Sequence, residues 1–165
     1  MQKSLSSVLL VLVLCFACVT TLLGQKKFSP SSYIEQHKSV AQQLMRETGV
    51  PASVILAIAI HESAYGNSRI ATHLNNHFGI KGKNNSSKIK SAYKGYESVL
   101  ASYNDFVGLL QRRKATQPLF EKYSPSDYTA WVKGIARAGY SVTRDWSSKV
   151  LNTIDRYDLD DLDIN

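Results

Sequence analysis

The segment Val54-Ile-Leu-Ala-Ile-Ala-Ile60 constrains this chain more than any other, because it offers water no polar face. Pro51 suits a helical first turn, and Ala52, Ala57, Ala59 and the Gly66 stop favour a helix over the rival buried strand. A helix that is apolar all round has to be covered on every side. The remaining elements must therefore pack around residues 52 to about 64. At its C-terminal end the apolar run is interrupted by His61-Glu62. Taking a carboxylate out of water favours its neutral form, and a helix C-terminus disfavours an anion. Both effects suit a general acid, which must hold a proton until the reaction calls for it. The plainer reading is a buried glutamate paired with an arginine, or one that swings into solvent past the helix end. Residue chemistry alone leaves both open.

The N-terminus reads as a processing signal. Lys3 supplies a positive start, Val8 to Leu23 is mostly apolar, and Gly24 precedes the polar Gln25-Lys26-Lys27. Residues 1–24 are expected to be a signal peptide cleeved near Gly24-Gln25, since the apolar stretch falls short of the roughly 20 residues of a membrane span. Acylation at Cys18 is the alternative, but Cys15-Phe16-Ala17 fits the usual lipoprotein pattern poorly. Residues 25–165 then form one domain with an acidic C-terminal tail and no cysteine, because Cys15 and Cys18 both lie in the leader. The expected product is an exported monomer, periplasmic or extracellular, without stable membrane insertion. Its stability must come from its core, without disulfides.

The formal net charge is +7 and is unevenly spread. Ser63 to Tyr96 contains no Asp or Glu but carries Arg69, Lys81, Lys83, Lys88, Lys90 and Lys94, whereas Asp155, Asp158, Asp160, Asp161 and Asp163 crowd the tail. A basic face selects an anionic partner. The export signal argues against nucleic acid and for an acidic polymer, although a solvated loop would explain Lys83 to Lys90 equally simply.

Periodicity predicts a mainly helical chain. Ser32 and Glu35 have capping-box spacing, followed by Ile34, Ala41, Leu44 and Met45 at helical intervals up to Gly49. A short helix is expected over Ser68 to Leu74, and others around Val99 to Leu110, Tyr128 to Ile135, and Trp146 to Tyr157, the last capped by Thr143. His77 to Tyr96 is rich in Gly, Asn, Ser and Lys and reads as loop with one small hairpin. No metal or cofactor site is expected. Tyr65 stands where a zinc protease motif needs its second histidine, His73 and His77 lack acidic neighbours, and no nucleophile elbow or phosphate loop is present.

Two blocks, Leu56-Ala-Ile-Ala-Ile-His-Glu62-Ser-Ala-Tyr-Gly66 and Asn75-Asn-His-Phe-Gly-Ile-Lys81, resemble the signature of glycoside hydrolase family 73. That family comprises bacterial glucosaminidases, the cell-wall autolysins and flagellar rod hydrolases. The resemblance continues through Tyr96, Asp105 to Leu110, Ala138-Gly-Tyr-Ser-Val-Thr143, Trp146 and Ile154 to Leu159. It implies an α+β, predominantly helical, lysozyme-like two-lobed domain with a short hairpin segment. It also implies cleavage of the β-1,4 bond after N-acetylglucosamine in peptidoglycan glycan strands. Glu62 falls on the family's catalytic acid and Tyr140 on its tyrosine near the reacting sugar. Asn75 and Asn76 fall on its paired asparagines, with turn chemistry as the simpler reading. Phe78, Tyr65 and Tyr96 are candidate sugar contacts, with packing as the alternative for each, and helical spacing assigns Trp146 to the core.

The chain departs from the family at one point. Gly82 to Ala92 is short and holds no acidic residue, where relatives often carry a second carboxylate. Glycosidases usually place two carboxyl groups about the bond. Glu97, the next acidic residue, and Asp145, in the first turn of a helix, are two candidate substitutes, and the third option is attack by the substrate's own acetamido group. Two alternatives stand beside this reading: a muramidase or lytic transglycosylase with another bond preference on the same fold, and, with the second carboxylate lost, a non-cleaving peptidoglycan-binding module.

Overall fold

The computed structural model describes residues 27–164, so the leader read at residues 1–24 lies outside the described residues. The described chain forms α1 (Pro30–Thr48), α2 (Ala52–Ser63), α3 (Arg69–Leu74), α4 (Val99–Arg112), α5 (Gln117–Lys122), α6 (Tyr128–Arg137), α7 (Trp146–Arg156) and a final 3-10 helix (Leu159–Asp163). Every residue from Ala52 to Ile60 is buried, as an all-apolar helix requires. α1, α6, α7 and the final 3-10 helix all pack on α2. Each fully buried Val, Leu or Ile on it contributes about 1.5–3 kcal/mol of transfer free energy.

Both ends of α2 need help from elsewhere. Pro51 occupies the N-cap and has no side chain able to accept a hydrogen bond. The tail supplies the missing acceptor. Asp163 Oδ1 accepts the Ser53 N–H at 2.8 Å, and Oδ2 accepts the Ser53 hydroxyl at 2.5 Å. The acidic end of the chain is thus a cap for the central helix, where a carboxylate also meets the positive end of the helix dipole. At the other end Ala64, Tyr65 and Gly66 all take positive φ, turning the chain sharply out of the helix just after Glu62. Ser63 holds that turn. Its hydroxyl donates to Ala59 O at 2.6 Å and accepts the Gly66 N–H at 2.7 Å. A Cβ on Gly66 would stand 3.0 Å from the Tyr33 ring, so the turn also requires a glycine for space.

Three expectations need correction. α1 begins three residues earlier than the Ser32–Glu35 pattern suggests. Ser29 is the N-cap, Pro30 occupies the first turn, and Ser29 and Ser32 form the reciprocal capping box. Pro30 permits this because its missing N–H is one the first turn leaves unpaired anyway. The expected hairpin is also absent as a strand pair. Among the described residues there is one isolated antiparallel bridge, Lys81 with Tyr93, and no strand. Asn84 closes the return instead, its amide donating to Ser91 O and Tyr93 O at 2.8 Å each. Gly, Asn, Ser and Lys have little β propensity, so side-chain bonds replace the ladder. The last helix is likewise preceded by Asp145 as N-cap, not by Thr143. The sequence pattern missed α5, a six-residue helix with one buried position.

Between α1, α4 and the loop after α3 lies a buried polar cluster. Tyr33 Oη is 2.6 Å from His77 Nδ1 and 3.0 Å from Tyr103 Oη, and the His37 ring lies 5.5 Å from that of His77. His37 Nε2 is buried without a partner. Burial lowers His37 from 6.5 to about 4, and burial followed by the nearby His37 lowers His77 to about 4. The folded state thus holds both histidines neutral where the unfolded chain would protonate them.

Two outcomes follow from these contacts. Asp163→Ala should lower unfolding free energy by about 1–2 kcal/mol through loss of the cap, read as a shift in urea midpoint at constant slope. Stability should be full above pH 6.5 and fall as pH drops towards about 4. The slope is up to about 1.4 kcal/mol per pH unit for each histidine, and His37→Phe should flatten it in thermal melts across that range.

Candidate active site

Glu62 occupies the last turn of α2, where the covered body of the helix reaches the surface. It is half-buried, less enclosed than the apolar run before it suggests. It lines a cleft of about 380 Å³ together with Phe78, Gly79, Ile80, Lys81, Leu109, Arg113, Tyr140 and Ser141. Four segments therefore meet at the carboxyl: the end of α2, the loop after α3, the end of α4, and the turn after α6.

The two carboxyl oxygens have different surroundings. Oε1 accepts the Trp146 indole N–H at 2.8 Å. Oε2 faces Gly79, where a Cβ would lie only 3.5 Å away. Gly79 takes φ 63, so a side chain there would be strained whatever the space. One oxygen is anchored by a buried ring and the other stands beside a residue with no side chain. Trp146 is 3% exposed, so its assignment to the core holds, but its polar edge reaches Glu62. Helical spacing with Val150 and Ile154 identifies only the ring's packing. The signal in the sequence was the indole itself, because a buried tryptophan N–H needs an acceptor.

Tyr140 stands against Trp146 with ring centroids 5.3 Å apart. Its hydroxyl donates to Phe78 O at 2.9 Å. Burial, and then the neighbouring Glu62 and Tyr96, push this hydroxyl well above the usual tyrosine range. It therefore stays protonated, its hydrogen committed to a carbonyl and its oxygen still able to accept.

Of the other candidates, Phe78 is 2% exposed and stacks on Phe106 with centroids 4.2 Å apart, so its backbone positions Tyr140 while its ring packs inward. Asn76 fills all its bonding capacity within the loop. Its amide donates to Ile80 O and Lys94 O, and its oxygen accepts from Phe78 N and Ile80 N. Asn75 caps α3 at φ 52 and donates to Tyr96 O. Both asparagines thus shape the loop that carries Phe78 and Gly79 into the cleft. Tyr65 is turned to Tyr157, hydroxyl to hydroxyl at 2.9 Å. Tyr96 donates to Asp105 Oδ2 at 2.8 Å, and burial, followed by that bond, raises its hydroxyl well above the usual range. It lines a separate depression that also contains Lys83, Lys88 and Glu97.

Neither substitute carboxylate lines the Glu62 cleft. Glu97 is exposed and belongs to the depression beside Tyr96. Asp145 is exposed and paired with Lys149 Nζ at 2.9 Å, a bond that holds it below the usual carboxylate range. Glu62 is thus the one acidic side chain among the residues lining the cleft. No group of three or more His, Cys, Asp or Glu among the described residues is arranged to hold a metal.

Comparison with known proteins bears on this geometry. Residues 38–159 match the glucosaminidase family model, described as mannosyl-glycoprotein endo-beta-N-acetylglucosaminidase. Exo-glucosaminidase LytG of Bacillus subtilis is 27% identical over 79% of this chain and 52% of its own. Peptidoglycan hydrolase FlgJ of Vibrio parahaemolyticus is 26% identical over 74% of this chain and 46% of its own. The chain thus spans about half the length of these relatives. Among solved structures, the catalytic domain of the autolysin Auto from Listeria monocytogenes superposes with a TM-score of 0.64 at 23% identity, covering 92% of this chain and 97% of that one. The glycoside hydrolase domain of Salmonella typhimurium FlgJ gives 0.63 at 21% identity, over 79% and 89%. These likenesses show a shared, predominantly helical fold. With the family model matched over most of its length, the chain belongs to the endo-β-N-acetylglucosaminidases of glycoside hydrolase family 73.

Proposed function

We propose that this protein is an exported peptidoglycan hydrolase that cleaves the β-1,4 bond after N-acetylglucosamine, with Glu62 as general acid and then general base. The observation that carries the reading is the lone carboxyl of the cleft, anchored through Oε1 by Trp146 and free of bulk beside Oε2. The glycan strand would lie between the helical body and the lobe formed by the loop of residues 75–96. The names of the relatives, a glucosaminidase and a peptidoglycan hydrolase, support that substrate. No helix among the described residues is long and apolar enough to cross a membrane. Export rests on the leader.

With one carboxylate lining the cleft, the second group is the substrate itself. The acetamido carbonyl oxygen of the sugar attacks C1 as the bond from C1 to the leaving oxygen breaks. Glu62 gives its proton to that oxygen. The resulting carboxylate then takes a proton from water, which opens the oxazolinium at C1 with net retention. Tyr140 contributes as an acceptor. Its own hydrogen is held by Phe78 O, so its oxygen can receive the acetamido N–H or steady positive charge at the sugar ring. Trp146 positions the acid and, by donating to Oε1, stabilises the carboxylate that forms when the proton leaves.

Digestion of purified cell wall should yield new reducing N-acetylglucosamine ends by mass spectrometry, with Glu62→Gln inactive and an oxazoline-type mimic acting as a competitive inhibitor. Reducing or anhydro N-acetylmuramic ends would instead establish a muramidase or transglycosylase, and binding without soluble product a non-cleaving module. Indifference to the mimic together with an inactive Glu97→Gln would replace the acetamido group by a protein carboxylate. Trp146→Phe keeps the ring against Tyr140 but removes the donor. It should lower kcat about 10- to 100-fold with little change in KM, the effect of losing one hydrogen bond to a charged group.

A further inference from the structure

The cleft that holds Glu62 also holds two cations, Lys81 and Arg113, which the reaction above does not use. Neither pairs with a carboxylate among the described residues. The contrast with the adjacent Arg112 is informative, since that guanidinium is neutralised by Asp105 Oδ1 at 2.8 Å. Arg113 follows directly after α4 in extended conformation, and this sends its side chain to the other wall of the cleft. There Nη2 donates to Gly139 O at 3.3 Å, the carbonyl immediately before Tyr140. Arg113 as a whole is half-buried, and its guanidinium stands beside the tyrosine on a single long, solvent-exposed bond. Five N–H donors with one such partner leave most of its fork available. Lys81 reaches the same cleft from the loop, fixed at the bridge to Tyr93.

A neutral sugar chain offers nothing that two cations are needed to balance. A carboxylate does, and a planar guanidinium reads one in bidentate fashion. Resting on the glucosaminidase reading, we propose that Arg113, assisted by Lys81, forms a subsite for a carboxylate on the sugar next to the cleaved N-acetylglucosamine. In peptidoglycan that carboxylate comes from the lactyl ether of muramic acid or from the peptide attached to it. The subsite makes the enzyme select acidic glycan over a polymer of N-acetylglucosamine alone. Arg113 is a binding and specificity residue; Glu62 remains the proton carrier.

The test uses three probes: glycan strands stripped of peptide, the same strands with their carboxylates converted to methyl amides, and strands that keep their peptides. Binding is measured by calorimetry with the Glu62→Gln protein, and cleavage with Glu62 intact. The acidic strands should be favoured over the amidated ones by about tenfold at low salt, roughly one charge-assisted contact, and less at high salt. Preference for stripped strands assigns the lactyl group, and preference for peptide-bearing strands assigns the peptide. Arg113→Gln should collapse the preference to within about twofold, raising KM on acidic strands more than it lowers kcat, while Arg113→Lys retains part of it. Lys81→Gln, at an exposed side chain, should reduce the preference by a smaller factor. Absence of any preference in the unaltered protein, or an Arg113→Gln variant that keeps it or weakens all three probes equally, would overturn the subsite while leaving the hydrolase reading intact. Failure of the unaltered protein to bind or cleave any strand would remove both.

Discussion

The first turn of α2 lies in the core with no residue of its own to cap it, and the carboxylate of Asp163 meets that need from 110 residues away. The all-apolar helix has to be surrounded, and surrounding it places its N-terminal N–H groups where water cannot reach them. The bonds from Ser53 to Asp163 pull the end of the chain onto the beginning of α2. They thereby seat the final 3-10 helix, and with it α7, against the same helix. Burial accounts for the direction in which Asp163 is shifted: desolvation raises its carboxyl, and the Ser53 bonds oppose that. One electrostatic requirement at one end of one helix thus orders the C-terminal part of the domain.

Satisfying that end also builds the other. Because α7 is laid along α2, Trp146 at its start comes within hydrogen-bonding distance of Glu62 near the end of α2. The sharp left-handed exit after Glu62 is stabilised by Ser63, which bonds backbone on both sides of the turn. The Glu-Ser pair is therefore a unit in which the serine holds the turn and the glutamate faces the cleft. A short irregular loop closes the other side. It is rigid enough to carry Gly79 against Oε2 because Asn75, Asn76 and Asn84 replace a sheet's hydrogen bonds with side-chain ones.

The charges of this loop divide by what they touch. Lys94 is spent on Asp105, which burial would raise but which its bonds to Lys94, Arg112 and Tyr96 hold below the usual range. Lys83 and Lys88 line the depression outside the Glu62 cleft. Lys81 reaches the cleft with Glu62, and Arg113 joins it from α4. An acid-free, lysine-rich stretch is therefore three things at once: a structural ion-pair cluster, a solvated surface, and one wall of the site.

Much was legible in the residue pattern, because burial is a local property of composition. An all-apolar run has to be covered, Pro51, the alanines and Gly66 make it a helix, amphipathic spacing sets where α4, α6 and α7 lie, and a carboxyl at the end of the buried run is conspicuous. The family motifs linked Glu62 to Tyr140 before their distance could be known. What composition could not reveal was which polar groups would find each other. Ser29 displaced Ser32 as a cap because Pro30 suits a first turn, and the hairpin gave way to asparagine bonds because its residues form poor strands. Trp146 looked like core and is core, yet its N–H orients the acid; Arg113 drew no notice because a lone arginine after a helix carries no motif. The sequence by itself determined the longer helices and the carboxyl at the end of the buried one, since hydrophobic burial depends on how residues are spaced along the chain. Only the tertiary structure decided the partners of that acid, since hydrogen bonds and ion pairs depend on a few ångströms between residues as far apart as Glu62 and Trp146.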